Sequence, residues 1–209
     1  MRGEMKKKMK GKKMRARIRA KMSPDLTPTP SQTAGPYFHL GLTDTRSVSR
    51  LAGPAAKGER RWITVRVRDG EGSPVPDAMI ELWQADPEGQ YPHHRDGNGT
   101  HFRGFGRLAT AEDGSCTFET VRPGCVPGPN ETVQAPHINL SILGRGISKR
   151  LSTRLYFAGE PGNAADPILA LVPETRRATL LAQPDSARSG HWMFDVCLRG
   201  ESETVFFDV

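Results

Sequence analysis

In the segment Ala135-Pro136-His137-Ile138-Asn139-Leu140, His137 and Asn139 stand two residues apart, and on a strand that spacing aims both side chains at one face. A His-x-His pair at this spacing would converge two imidazoles on one metal ion. The His-x-Asn found here supplies one, because a neutral carboxamide is a poor substitute for imidazole. The plain alternative is a strand histidine held by hydrogen bonds. Arg145 carries a planar fork of donors that can grip a carboxylate through two parallel charge-assisted bonds; its plain alternative is a solvated turn arginine. His93 and His94 lie in a polar stretch with Arg95, Asp96, Gly97 and Asn98. They reach metal chemistry only if a third ligand such as His101 folds nearby, and solvated loop histidines are commoner. Gly104-Phe105-Gly106-Arg107 lacks the strand-loop-helix context of a phosphate cradle and is expected to be a bulge or a strand entry. No Gly-x-Ser-x-Gly is present. Cys116, Cys125 and Cys197 are widely spaced and form no Cys-x-x-Cys pair, which argues against a disulfide framework and a zinc site and points to reduced, partly buried thiols.

The elements that must position these groups read as short strands between Gly and Pro turns. Ile63, Val65 and Val67 alternate with Thr64, Arg66 and Arg68, the pattern of a strand with one buried face. Eight strands are expected, over 62–68, 78–83, 106–109, 115–121, 137–143, 150–157, 192–198 and 204–209, and their number and spacing predict an all-β sandwich. One short helix is expected over 173–181, with Pro173 near its start and Glu174 in its first turn. Residues 23–50 contain four prolines and little periodicity and read as an extended N-terminal arm that needs another surface to lie on. No internal repeat is visible.

Several motifs carry a family resemblance: Leu82-Trp83-Gln84-Ala85-Asp86, Gly89-Gln90-Tyr91, Pro123-Gly124-Cys125-Val126-Pro127 and the His137 strand. Together they resemble the intradiol ring-cleavage dioxygenases, a family that binds non-haem ferric iron with two tyrosines and a His-x-His pair. The resemblance covers nearly all of the chain beyond residue 26. The arm from Thr29 to Tyr37, together with Arg145-Gly146-Ile147, Thr153-Arg154-Leu155-Tyr156-Phe157 and Gly200 to Asp208, is most similar to the branch built from homologous alpha and beta chains.

The resemblance implies a degenerate iron site at Tyr91, Val126, His137 and Asn139, with Gln134 where the family places its catalytic arginine. Two ligands would not hold catalytic iron against water. The resemblance therefore implies that Fe(III) is held by a homologous beta subunit, and that this chain is the subunit of a hetero-oligomer that binds no iron. It further implies that the assembly cleaves 3,4-dihydroxybenzoate with O2 to 3-carboxy-cis,cis-muconate, and that Thr33, Pro36 and Arg145 line the substrate pocket. Two other classes stay open on these residues: a self-sufficient dioxygenase with atypical ligands and a non-catalytic β-sandwich binding module.

The 209 residues suit one β-sandwich domain over 51–209, behind the arm and a basic extension over 1–22. That extension holds eleven Lys or Arg against Glu4 alone. It therefore carries +10 of the formal charge of +7, and the remainder is mildly acidic at −3. So dense a run of like charge opposes packing and is expected to be disordered. It lacks the interleaved aromatics of a nucleic-acid-binding tail, so neither nucleic acid nor membrane is expected as a partner. Met22 is an alternative start of translation. After Lys21 comes Met22-Ser23-Pro24-Asp25 and not an apolar stretch, so no secretory signal is expected. No run of 18 apolar residues is present, which excludes a membrane-spanning helix; the expectation is a soluble, cytoplasmic protein.

Overall fold

Alternation along Arg60–Arg68 produces strand β1, in which Ile63, Val65 and Val67 are fully buried while their neighbours keep some access to water. The computed structural model describes residues 30, 32, 33, 35, 40–44, 46–92 and 102–208; the basic head expected over 1–22 and half of the arm lie outside the described residues. The remaining strands are β2 (Met79–Gln84), β3 (Phe105–Ala109), β4 (Ser115–Val121), β5 (Val126–Pro127), β6 (Val133–Gln134), β7 (His137–Leu143), β8 (Leu151–Phe157), β9 (Leu181–Pro184) and β10 (His191–Cys197). Eight of them form one curled sheet in the order β3-β2-β7-β8-β9-β10-β1-β4, and β5 and β6 make a separate hairpin. Within β3-β2-β7-β8 every pairing is antiparallel, while β10 runs parallel to β1 and β9 runs parallel to β8. The Gly104–Arg107 stretch enters β3, as expected of a strand entry.

The curl closes over an apolar core in which Ile63, Val65, Val67 and Phe194 from one half meet Ile80, Leu82, Ile138, Leu140, Ile142 and Leu155 from the other. Each large side chain so buried contributes about 1.5–3 kcal/mol of transfer free energy, and the sum makes a one-residue register slip prohibitive. Gln84 is a polar exception with no exposure. Its amide donates to the carbonyls of Ala85 and Val121 and accepts from Thr120, so burial leaves none of its groups without a partner.

Two expectations are corrected. The segment expected over 204–209 is not a ladder strand over its described residues 204–208, where only Phe207 bridges, to Ser152. Hydroxyl groups do much of the remaining pairing there, with Thr204 Oγ1 accepting from Cys197 N, Thr179 Oγ1 from Val205 N, and Thr153 Oγ1 donating to Val205 O. The helix expected over 173–181 is α-helical only at Glu174–Arg177, tightens to a 3-10 turn at Ala178–Leu180, and gives way to β9. Leu180 is fully buried, and Leu181 and Ala182 pair with Tyr156 and Phe157. Packing in this joint outweighs helix propensity.

Two tight turns place the residues that follow them. Asp86 Oδ1 accepts from the backbone of Glu88 and Gln90, and its carbonyl accepts from Gly89 and Gly124. Gly89 has φ +79°, and a Cβ there would lie 1.9 Å from the Cys125 carbonyl oxygen; at Gly124 it would lie 2.3 Å from that of Pro87. Backbone thus docks on backbone, and the chain leaves these turns at Tyr91 and Val126. We expect Gly89→Ala to cost about 2–3 kcal/mol, because the left-handed conformation and the carbonyl contact act together. For a chain of this size the melting temperature should fall by roughly 4–12 °C. An unchanged melting curve would show that the two turns have room to separate.

Candidate functional site

Because Ile138, Leu140 and Ile142 point into the core, His137 and Asn139 of β7 must point to the outer face of the sheet. His137 is only 2% exposed. Its Nδ1 lies 2.7 Å from the carbonyl of Ala135, which only accepts, so Nδ1 carries the proton and Nε2 presents a lone pair. Burial first, and then the nearby Arg154 charge, push its pKa down, against the raising effects of the Ala135 hydrogen bond and of Asp166; the imidazole is neutral at pH 7. The Tyr91 hydroxyl stands 3.4 Å from Nε2 and accepts from Asn139 Nδ2 at 3.3 Å. The Tyr91 ring stacks on Trp83 with centroids 5.9 Å apart. Val126 is buried on the β5–β6 hairpin, opposite Gln134.

A second set of contacts surrounds this group. Arg154 of β8 is paired in register with Asn139, so both side chains rise from the same face with Cβ atoms about 5 Å apart. Arg154 Nη1 donates to Gln134 Oε1 at 2.7 Å, and Gln134 Nε2 donates to Pro127 O at 2.9 Å, which fastens the hairpin to β8. Tyr156, two register pairs further along and opposite His137, donates to Asp166 Oδ1 at 3.1 Å. Burial pushes the Tyr156 phenol up to about 12. Asp166 has no exposure and also accepts from the backbone of Ala135, Ile168 and Leu169, so its carboxylate closes the outer face over Tyr156, Leu169 and Leu180. Arg154, Tyr156 and Asp166 escaped the sequence analysis as site residues. The outward position of Arg154 on an alternating strand was the available signal.

These residues do not fit a ferric centre. One imidazole lone pair and one phenol converge, Asn139 turns its Nδ2 donor toward the phenol and the Trp83 carbonyl and offers a carboxamide in place of an imidazole, and Val126 offers no donor atom. Among the described residues no three His, Cys, Asp or Glu side chains come together as a metal-ligand cluster. The three cysteines are unpaired thiols, and burial pushes Cys116 up to about 12, leaving it an inert core thiol. No helix among the described residues is long and apolar enough to cross a membrane.

The carboxylate-binding expectations map elsewhere. Arg145 lies in the turn after β7, separated from His137 by the length of that strand, on the order of 20 Å. Its side chain is 74% exposed and makes a loose ion pair with Asp77 at 3.7 Å. Gly146 N donates to Thr33 Oγ1 at 2.9 Å, so the turn that carries Arg145 is tied to Thr33. Pro36, and the loop histidines His93, His94 and His101, lie outside the described residues.

Comparison with known proteins agrees with this architecture. The family model described as dioxygenase matches residues 33–200. The chain is 44% identical over 198 residues to the protocatechuate 3,4-dioxygenase alpha chain of Burkholderia cepacia, covering 88% of this chain and 98% of that one. It is 37% identical over 158 residues to the beta chain from the same organism, covering 70% and 67%. The solved dioxygenase domain of a dioxygenase carbohydrate-binding protein fusion from Streptomyces sp. SirexAA-E superposes with a TM-score of 0.58 at 30% identity, covering 83% of this chain and 99% of that one. Sequence and fold agree: the chain belongs to the intradiol ring-cleavage dioxygenases.

Proposed function

We propose that this chain is the alpha subunit of a protocatechuate 3,4-dioxygenase, working with a homologous beta chain that holds Fe(III). The observation that carries this reading is identity to an alpha chain over nearly its whole length, in a chain whose own ligand positions lack the donor atoms for iron. The assembled enzyme would insert both atoms of O2 into 3,4-dihydroxybenzoate and open the ring between the hydroxyl-bearing carbons, giving 3-carboxy-cis,cis-muconate. Iron supplies the redox chemistry there. This chain's part is to bind and orient the substrate, with Arg145, Thr33 and Pro36 on the pocket wall.

Three observations support that division of labour. Arg145 sits a strand's length from the degenerate centre, so a substrate carboxylate held by it would lie too far from Tyr91 and His137 to react there. Its ion pair with Asp77 is exposed and long, and such pairs are worth about 0–1 kcal/mol, so turning the guanidinium toward a carboxylate costs little. The Thr33–Gly146 bond would hold the arm and the arginine turn as one surface, which shortens the search for the productive orientation.

Two experiments test the reading. The purified chain alone should hold far less than one iron per chain and consume no oxygen with 3,4-dihydroxybenzoate, while co-expression with the beta chain should give oxygen uptake. One tightly bound iron on the isolated chain, with the visible colour of a tyrosinate complex, would sink the subunit assignment. In the assembled enzyme, Arg145→Ala should cost about 2–5 kcal/mol in kcat/KM for 3,4-dihydroxybenzoate, nearer the lower end because water can enter the vacated space. Catechol, which lacks the carboxylate, should lose much less. Equal losses for the two substrates would mean that Arg145 supports the fold or a subunit contact and does not read the carboxylate.

A further inference from the structure

At the far end of β7 the last ladder pair is Met79 with Leu143. Carrying that register two residues further sets Asp77 opposite Arg145, and the side chains meet there, with Arg145 Nη2 lying 3.7 Å from Asp77 Oδ2. The two partners are held very differently. Asp77 has φ +64° on a turn pinned by buried Thr110. The Thr110 hydroxyl donates to Val75 O at 2.8 Å and accepts from Ala78 N at 3.0 Å, and its N–H donates to Ala78 O at 2.8 Å. Arg145 instead extends a long side chain, 74% exposed, from a surface turn, with Lys149 and Arg150 exposed on the same connection. Glu81, the next carboxylate along the outer positions of β2, is held by Arg107 at 2.5 Å. At 3.7 Å the Asp77–Arg145 contact is longer than a hydrogen bond and lacks the two parallel bonds of a fork, so it does not fix how the guanidinium points. It sets charge: a carboxylate on a pinned turn beside a guanidinium that can swing.

From this geometry we propose that Asp77 is a specificity-determining residue, the counter-ion that a substrate carboxylate must displace from Arg145. It weakens the binding of aromatic carboxylates and leaves catechols without a carboxylate untouched. Two effects act in the same direction: the Asp77–Arg145 pair has to open, and the incoming carboxylate is repelled by the one already there. Ring opening keeps the substrate's carboxylate and adds two more, so the product meets the same repulsion and leaves more readily. The proposal rests on the reading of Arg145 as the residue that binds the substrate carboxylate. A role for Asp77 in orienting Arg145 would have the opposite sign, because its removal would then weaken substrate binding.

The test is steady-state oxygen uptake by the enzyme assembled with its beta chain. Asp77→Asn removes the charge, and asparagine tolerates the left-handed backbone of this turn; Asp77→Gly does the same by a second route. For 3,4-dihydroxybenzoate both variants should lower KM about two- to fivefold with kcat little changed, the factor expected of an exposed ion pair. The KM for catechol should not move, and inhibition by the product should strengthen. Raising the salt concentration should bring variant and parent together, since these charges are open to screening. In the Arg145→Ala background, Asp77→Asn should have no effect. An unchanged or raised KM for 3,4-dihydroxybenzoate, while Arg145→Ala still penalises that substrate selectively, overturns this inference alone. Equal losses for both substrates in Arg145→Ala overturn the carboxylate reading, and this inference with it. Loss of assembly in both Asp77 variants would also overturn it, since Asp77 would then serve the turn and not the charge.

Discussion

Strand β7 carries the constraint on which the rest of the molecule depends. Its inward residues Ile138, Leu140 and Ile142 are completely or almost completely buried and fill the middle of the core. Side chains alternate strictly, so burying these three forces His137 and Asn139 onto the outer face, where Arg154 and Tyr156 of β8 meet them in register. A slip of one residue would carry the imidazole and the carboxamide into hydrocarbon and expose the isoleucines. The degenerate centre is therefore held in place by the energetics of the core, whether or not it binds anything.

Around that centre the structure satisfies polar groups with one another. Asp166 takes Tyr156 and three backbone donors, Gln134 joins Arg154 to the hairpin, and Asn139 joins Tyr91 to β7. A buried donor or acceptor left without its partner costs about 1–3 kcal/mol, so a network of this kind stabilises the fold whether or not it carries chemistry. The Asp86 turn and the glycines at 89 and 124 serve the same end from the other side, bringing Tyr91 across 46 residues of sequence to the His137 ring. A cleft of about 1030 Å³ lined by Arg66, Arg68, Met193 and Asp195 opens on the opposite half of the sheet. It gathers exposed ion pairs such as Arg66–Asp195 and has no connection to this centre. A cleft of about 630 Å³ beside Trp83, Asn139 and Arg154 adjoins it.

The His137 cluster and the proposed substrate-binding surface lie at the two ends of one strand. One end gathers Tyr91, His137 and Asn139, and the other carries Arg145 in a turn tied to Thr33. That separation gives the subunit reading its physical sense, since a residue some 20 Å from the chain's own Tyr91 and His137 can orient a substrate only for chemistry performed elsewhere.

Much of this was legible without coordinates, because it depends on residue type and local period. Ile63, Val65 and Val67 announce a strand whatever surrounds them, valine at 126 offers no donor atom in any fold, and the carboxamide at 139 is a poor substitute for imidazole. The end of the helix near Arg177, the strand Leu181–Pro184 and the irregular course of 204–208 were not legible, since each is settled by the joint between the two halves of the sheet and not by local propensity. The same holds for the site. That His137 is neutral, with its lone pair toward Tyr91, follows from burial and from the Ala135 carbonyl. That Arg154 stands against Gln134 follows from the β7–β8 register and the placing of a two-strand hairpin. Residue identity alone determined which ligand atoms were lost. Only tertiary structure decided which charge came to stand beside the places they left, because that depends on contacts between segments that the chain's local order does not encode.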